Sequence, residues 1–389
     1  MHLKKTIALI LVSALIFGCK KEQNSSSKGQ PDNCTIQKSI KDGEVVQDEY
    51  IVEYKPVSLD ARSVSTEQIS RISQDVLQRN NISYKAVEQT FPGVPGGFIA
   101  HLSPAEFSRL KNDSGIEEIE PDRIVALSTC FTVAAPSLLT WNIKRVGYGD
   151  GTGKTAWIID TGIDFTHPDL TVDESRSRSF ISGDTSATDE NGHGTHVAGI
   201  IGAKNNSFGV LGVASGATLV SLRVLDKDGT GRLSYIIQAL SYVNANAKAG
   251  DVVNLSLGED SISTILDEEV QSTAARGIYV AIAAGNDSKP ARDYSPGRAN
   301  GANIFTVSAV DSLDNFAKFS NYGNDVIDYA APGVRILSTF MGGKYAYMTG
   351  TSMAAPHVAG LLLLKGSNLT ANGTAGNDPD GTPDPIAHY

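Results

Sequence analysis

Cysteine is scarce in this chain: three residues in 389, Cys19, Cys34 and Cys130. They form no cluster, and no His-Glu-x-x-His occurs, so neither of the usual protein zinc patterns is present. Long apolar runs are also missing. Beyond the first 19 residues none approaches the ~18 needed to cross a bilayer. Positive charge is in deficit, with 33 Lys+Arg against 43 Asp+Glu and a formal net charge of −10. No basic stripe marks a nucleic-acid partner. What remains is a chain that is 41% apolar and 20% charged, able to build a core and long enough for more than one domain.

The amino terminus is not part of that core. Lys4 and Lys5 precede an apolar stretch of 11 residues, 7–17, too short for a membrane span and right for an export signal. It ends at Ile16-Phe17-Gly18-Cys19, which resembles a bacterial lipoprotein box with Cys19 as the lipidated residue. The bulky Phe17 departs from that pattern, and the alternative is an ordinary secretion signal. Residues 1–19 are therefore set aside, and residues 20–44 are read as a polar tether. In an oxidising compartment Cys34 and Cys130 either pair or remain two thiols, and spacing does not choose between them.

Residues 45–127 carry a β-α-β-β-α-β order. Strands are expected at 50–54, 87–91, 97–102 and 116–127, the last interrupted at Pro121. A first helix starts behind Thr66 as N-cap, with Ile69, Ile72, Val76 and Leu77 at helical spacing. Ser103-Pro104-Ala105-Glu106 is a capping box with Pro at the first helical position, which starts a second helix. The order is that of a ferredoxin-like α+β domain. Residues 128–140 show no clear element.

From residue 141 to 389 apolar strands alternate with helices. Strands are expected at 155–159, 218–224, 252–257, 278–283 and 304–309, and helices at 197–201, 233–247 and 354–364. Near-continuous apolar strands separated by helices imply an α/β, doubly wound, mostly parallel sheet flanked by helices on both faces.

Three segments carry chemistry: Ile158-Ile159-Asp160-Thr161-Gly162, Asn191-Gly192-His193-Gly194-Thr195-His196 and Gly350-Thr351-Ser352-Met353-Ala354. They supply an acid, a base and a nucleophile in the order Asp, His, Ser, one of the orders in which serine hydrolases arrange a triad. A serine hydroxyl needs an adjacent base, which His193 supplies, flanked by glycines that leave its ring approachable. Ser352 opens a helix, whose N–H groups and dipole favour a developing oxyanion. Pro356 is read as lying early enough in that helix for its missing N–H to do little harm. Asp160 ends a strand, where ligand-facing groups of parallel sheets collect. Asp164 is the competing acid. His196, three residues after the base, is read as a packed helix residue and not as half of a metal pair. Asn286, in Ala283-Ala284-Gly285-Asn286, is a candidate side-chain donor to the oxyanion, with Thr351 as an assistant.

Taken together, residues 141–365 resemble a subtilisin-family serine peptidase. The stretches Tyr294-Ser295-Pro296, Phe319-Ser320-Asn321-Tyr322-Gly323, Ala331-Pro332-Gly333 and Ile336-Leu337-Ser338-Thr339 resemble its proteinase K branch. The resemblance implies peptide cleavage by Asp160, His193 and Ser352, with Asn286 at the oxyanion. It makes residues 45–127 an inhibitory propeptide, removed by a cut between 127 and 140. It implies substrate edges at Gly229 and Gly231 and at Ser256, Leu257 and Gly258, with Ala284 and Gly285 beside them. An extended peptide would add there as a strand. The uncharged walls imply an apolar or aromatic P1 residue. In the proteinase K branch Ca²⁺ is held by an Asp and two backbone carbonyls, which correspond to Asp328, Ala302 and Ile304 here, with Asp325 as a rival.

The expected protein is thus a monomeric endopeptidase acting on polypeptides and restrained by its own propeptide. It would be exported and held at the membrane by a lipid on Cys19, or secreted once the propeptide is cut away. The rival classes are a silent peptide-binding relative and an ester hydrolase using the same triad. Three lookalikes are declined. Asp226-Lys227-Asp228-Gly229 lacks the rest of an EF-hand loop. Residues 149–155 suggest a phosphate loop but lack its first glycine. The acidic run Asp378-Pro379-Asp380-Gly381-Thr382-Pro383-Asp384 reads as a solvated tail.

Overall fold

Side chains of the strand Thr155–Asp160 alternate between two cores. Ala156 and Ile158 pack with Val197, Ile201, Met353 and Val358, whereas Trp157 and Ile159 pack with Ile236, Leu240, Leu266 and Val270. The period of two puts neighbouring residues on opposite faces, and here both faces are covered. The helices His193–Gly202 and Thr351–Lys365 lie on one side, and Leu233–Asn246 and Thr264–Ala275 on the other. This is a computed structural model, and it describes residues 41–55, 66–93, 96–127, 130–133 and 138–389. The signal segment with Cys19, most of the tether and Cys34 lie outside the described residues.

The large sheet runs in the order Thr370–Thr374, Pro385–His388, Ile327–Pro332, Ile304–Val310, Tyr279–Ala283, Val252–Leu255, Thr155–Asp160, Thr218–Arg223, Arg178–Ser179. Every pairing is parallel except the first. The chain leaves Thr155–Asp160 for Thr218–Arg223 on one side and returns to Val252–Leu255 on the other. That reversal creates a switch point, and in such sheets ligands sit beyond the carboxyl ends of the strands there. Asp160 is the carboxyl-terminal residue of its strand.

The small unit is the expected βαββαβ fold. Its antiparallel sheet has the order Ile116–Ala126, Val45–Tyr54, Gly97–His101, Val87–Phe91. One face packs on its own helices, Thr66–Arg79 and Pro104–Lys111, through Val52, Phe98, Ile69, Leu77 and Leu110. The other face sends Ile51, Phe91, Ile99 and Val125 into the cluster that contains Ile236 and Leu240. The capping box forms, with Glu106 N donating to Ser103 Oγ at 3.4 Å and Ser103 N to Glu106 Oε2 at 2.9 Å.

Several expectations are corrected. Thr66 is the first helical residue instead of the cap. Pro121 does not break its strand; it sits opposite Tyr50, and the irregularity falls beyond it, between Tyr50 and Val45. The tether does not reach residue 44. Gly43 N donates to Ile124 O and Ile124 N to Glu44 O, both at 2.9 Å, so residues 41–44 belong to the small unit. Within 128–140, Cys130–Val133 forms a strand paired with Lys344–Thr349. The acidic run is no solvated tail, because Asp384 is buried and Pro385–His388 joins the large sheet. Helix Thr264–Ala275 had no reading, since Asp267, Glu268 and Glu269 interrupt its apolar pattern. Its start was legible, with Ser263 Oγ capping Leu266 N at 3.1 Å. Among the described residues no helix is long and apolar enough to cross a membrane.

Candidate active site

Asp160 and His193 meet in the interior. Nδ1 of His193 lies 2.8 and 2.9 Å from the two carboxylate oxygens of Asp160, and the residues are 1% and 0% exposed. Nδ1 therefore carries the proton and donates it, which leaves Nε2 as the basic nitrogen. That Nε2 is buried and has no hydrogen-bond partner. Asp160 is fixed further by Thr161 N, which donates to Oδ1 at 2.7 Å. The rival acid is otherwise engaged. Asp164 accepts from Thr166 N and Oγ1 and from Gly342 N, at 2.7–2.9 Å.

The glycines around His193 serve close packing, not access. A Cβ on Gly194 would lie 2.1 Å from Gly162 O and 3.1 Å from Asp160 Oδ1. One on Gly192 would meet the Phe340 ring at 2.0 Å, and Gly192 also has a φ of +109°. Only glycine lets the helix start press against the strand end that holds the acid.

A second buried carboxylate, absent from the sequence reading, holds this junction. Asp189 accepts from Thr161 Oγ1 (2.9 Å), Asn191 N (2.9 Å) and Gly192 N (2.8 Å) on one oxygen, and from Thr195 N (2.9 Å) and Thr195 Oγ1 (2.6 Å) on the other. Thr161 Oγ1 in turn accepts from Gly194 N at 2.9 Å. Asp189 thus caps the His193 helix and ties it to the residue after Asp160. The available signal was an Asp shortly before an apolar helix, the usual mark of a cap.

Ser352 is the second residue of its helix and is nearly buried. Pro356 lies deeper in that helix than the first turn, so its missing N–H is felt. The partner it would have had is the carbonyl of Ser352. Ser256 Oγ fills the gap, donating to Ser352 O at 2.8 Å, and accepts from Asn254 Nδ2 at 2.8 Å. A residue expected at the substrate edge is therefore bonded to the backbone of the serine expected as nucleophile.

Asn286 faces the same place. Its Oδ1 accepts from Thr351 N at 2.8 Å and Thr351 Oγ1 at 3.0 Å, and Thr351 Oγ1 accepts from Gly285 N at 3.1 Å. Pinning the oxygen turns the NH₂ end of Asn286 the other way. Thr351 is thus an orienting residue for Asn286. Ser352, Asn286, Ala284, Gly285, Ser256, Leu257 and Gly258 line one cavity. Asp42, Glu259 and Asp287 line it too, which corrects the expectation of walls without charge.

The Gly229–Gly231 edge is occupied by the small unit. Thr230, Gly231 and Arg232 pair antiparallel with Ala126, Val125 and Ile124, and Leu127 N donates to Gly229 O at 2.9 Å. Leu127 reaches the cavity that Ser352 lines. The Ser256–Gly258 segment meets Ala126 and Leu127 around that cavity. The other neighbour of this strand, at Ile124, is Gly43–Glu44.

The remaining residues separate cleanly. His196 is fully buried, its Nε2 lies 2.9 Å from Ile336 O and 3.0 Å from Ala346 O, and burial pushes it down to about 3. It is a packed helix residue. Among the described residues no group of three His, Cys, Asp or Glu could hold a metal. A site of one carboxylate and two carbonyls is a different case. Asp328 is half-buried on the strand beside Ile304–Val310, accepts from Thr306 N at 2.9 Å, and burial raises it to about 6. Ile304 is the first residue of that neighbouring strand and Ala302 precedes it, and one carboxylate with two carbonyls is an oxygen donor set of the kind a hard cation takes. Asp325 is exposed and pairs with Arg292 at 3.4 Å.

A doubly wound sheet carrying a buried Asp–His pair, a helix-opening serine and an edge that accepts an extended strand defines a serine peptidase. The model of the "Subtilase family" matches residues 151–372, and that of "Peptidase inhibitor I9" matches residues 49–128. Alkaline serine exoprotease A of Vibrio alginolyticus is 35% identical over 376 residues, covering 92% of this chain and 68% of the relative. Subtilisin BL of Lederbergia lenta is 46% identical over 231 residues, 58% of this chain and 82% of the relative. The crystal structure of a cold adapted subtilisin-like serine proteinase superposes with a TM-score of 0.57 at 34% identity, covering 65% of this chain and 98% of that one. The chain belongs to the subtilase family, as a subtilisin-like serine endopeptidase with an I9 propeptide inhibitor domain.

Proposed function

We propose that this is an exported endopeptidase, made as a self-inhibited precursor, that cuts peptide bonds through Asp160, His193 and Ser352. The observation that carries the reading is the buried Asp160–His193 bond, with the second imidazole nitrogen left without a partner. In the reaction Ser352 Oγ attacks the substrate carbonyl and passes its proton to His193 Nε2. Asp160 keeps Nδ1 protonated and stabilises the imidazolium. The oxyanion accepts from Asn286 Nδ2 and from the backbone N–H of Ser352. His193 then protonates the leaving amine, the acyl-enzyme forms on Ser352, and water repeats the sequence to release the acid. Asp189 and Thr161 hold base and acid in register throughout.

The substrate occupies the place that residues 124–127 hold in the precursor, as a strand along Gly229–Gly231. P1 is apolar or aromatic. Glu259 and Asp287 at the cavity disfavour acidic P1 residues. The chain divides into a signal at 1–19, a tether ending before Lys41, the propeptide to 127, a processing segment at 128–140 and the peptidase domain at 141–389. A lipid on Cys19 would sit on the propeptide side, so processing would free the enzyme from the membrane. A structural Ca²⁺ would be held by Asp328 with the carbonyls of Ala302 and Ile304, and chelation should lower the melting temperature.

The test is fluorophosphonate labelling of wild type and Ser352→Ala, with N-terminal sequencing of the mature fragment. Labelling of wild type alone, with a cut between 127 and 140 lost in Ser352→Ala, is the expected result. Labelling that survives Ser352→Ala refutes the assignment.

A further inference from the structure

The face between the propeptide and the peptidase domain gathers acids from both sides. Glu53, from the propeptide strand Val45–Tyr54, is 1% exposed and lies against Glu268 and Glu269 of helix Thr264–Ala275, with Glu117 on its own sheet beside it. Glu269 is fully buried; Asn244 Nδ2 reaches its Oε2 at 3.4 Å, and Arg276 is the cation facing it. A second group lies along the same face. Glu120 is bonded to Ser263 Oγ, with Glu118, Asp267 and Arg123 nearby. Glu259 is 2% exposed, accepts from Ser261 Oγ at 3.0 Å, and faces Glu120, Asp42 and Arg123. Asp267 pairs with Arg298 at 3.3 Å. One carboxylate oxygen on each of Glu53, Glu259 and Glu269 is buried with no hydrogen-bond partner.

Facing carboxylates that each keep a buried oxygen without a donor are strongly disfavoured if all are ionised. Carboxylic acids at the same places cost far less, because one can donate to the next. We propose that this interface is a proton-operated latch, held shut while the facing carboxyl groups of Glu53, Glu268 and Glu269, and of Glu120 and Glu259, keep their protons, and opened by their ionisation, so that the propeptide leaves the peptidase faster as the medium turns alkaline. The inference rests on the propeptide being the inhibitor of the site described above.

The direction follows from linkage. Burial, then Glu268, Glu269 and Glu117, push Glu53 up to about 9. Burial, then Glu120 and Asp42, push Glu259 up to about 8. Burial takes Glu269 to about 8 against the pull of Arg276, and burial, then Glu118 and Asp267, take Glu120 to about 7. Free in water each would titrate near 4.5. Groups raised in the closed form stabilise it fully below their free value and stop doing so as pH climbs through the raised value. The window therefore runs from mildly acidic to about pH 9.

The test uses the full chain after self-processing, with the lag before activity on a fluorogenic peptide read at fixed pH values. Between about pH 6 and about pH 9.5 the wild-type lag should shorten at least about tenfold, the effect of one pK unit on one group. In Glu53→Gln and Glu269→Gln, which keep shape but cannot ionise, the shortening should be at least halved on a logarithmic scale, with final activity unchanged. A second arm needs no catalysis. Urea unfolding of the uncut Ser352→Ala chain should show a midpoint that falls over the same window, and falls less with Glu53→Gln added. A lag and a midpoint that are flat with pH, or variants that track their parents, overturn the latch. A pH-dependent midpoint in Ser352→Ala, alongside a wild-type chain that cleaves no peptide, supports the latch and sinks only the peptidase reading.

Discussion

Two buried acids, Asp160 and Glu53, are almost equally hidden from water, at 0% and 1% exposure, yet they are built oppositely. Asp160 is met by donors, His193 Nδ1 and Thr161 N. Glu53 is met by other acids and retains an oxygen with no partner. Asp189 repeats the first pattern and Glu259 the second. Burial alone therefore says little about a carboxylate; the donors around it decide whether the fold keeps its charge. At the Asp160–His193 junction donors are supplied, as the proposed mechanism requires of a carboxylate that faces an imidazolium in each cycle. At the propeptide face Glu53 meets Glu268, Glu269 and Glu117 instead.

The most severe way to test that contrast is to neutralise one acid of each kind. Asp160→Asn should lower kcat by about 10⁴-fold, the loss established for the same change in another Ser-His-Asp peptidase, because the amide favours the wrong imidazole tautomer. Glu53→Gln should leave kcat of the released enzyme within about twofold, since it touches nothing in the cavity. Steady-state kinetics on one peptide substrate, with active sites titrated, decides. A comparable loss in both would mean that the interface acid also supports the chemistry.

Asn286→Ala removes a donor that Thr351 aims by its oxygen. The expected loss in kcat is about 10²–10³-fold, the effect established for a subtilisin's oxyanion asparagine, with KM little changed. Thr351→Val should give part of that loss, because the amide then turns more freely. A Thr351→Val enzyme with full kcat would show that its bonds do not orient Asn286.

Asp189→Asn tests whether the supporting carboxylate acts on His193 or only on folding. Misplacing the base by about 1 Å costs about 10²-fold in rate. The change also removes a buried negative charge near the imidazolium, so the acid limb of the kcat/KM profile should move to lower pH. A purely structural defect would reduce the amount of folded enzyme and leave the limb in place.

Much of this was legible in sequence because the signals were local. Asp160 ends an apolar run, His193 and Ser352 open helices, and Ser103-x-x-Glu106 is a cap with its own reciprocal bonds. The βαββαβ order needed only short-range periodicity. What was hidden depends on partners far apart in the chain. Asp189 looks like a loop acid until the strand end at Thr161 folds against it. The acids of helix Thr264–Ala275 look like a solvated stripe until the propeptide sheet covers them. Asp384 looks like part of a polar tail until Ser308, 76 residues earlier, donates to it at 2.5 Å. Pro356 was misplaced for a related reason. Its cost could be judged only by knowing which group would replace its absent N–H.

That replacement gives the smallest expected effect and the narrowest test. The backbone carbonyl of Ser352, which Pro356 leaves without a helical partner, is satisfied by Ser256 Oγ at 2.8 Å. Ser256→Ala should destabilise the peptidase by about 1–3 kcal/mol, the cost of a buried carbonyl left without a donor. Pro356→Ala restores an N–H to that position in the helix. If the orphaned carbonyl is the cause, Ser256→Ala should cost clearly less when Pro356→Ala is already present, and the two changes should couple in a double-mutant cycle measured by urea unfolding. Additive losses would mean that Ser256 acts through Asn254, whose amide it also accepts, and that the backbone at Ser352 is held by its helix alone.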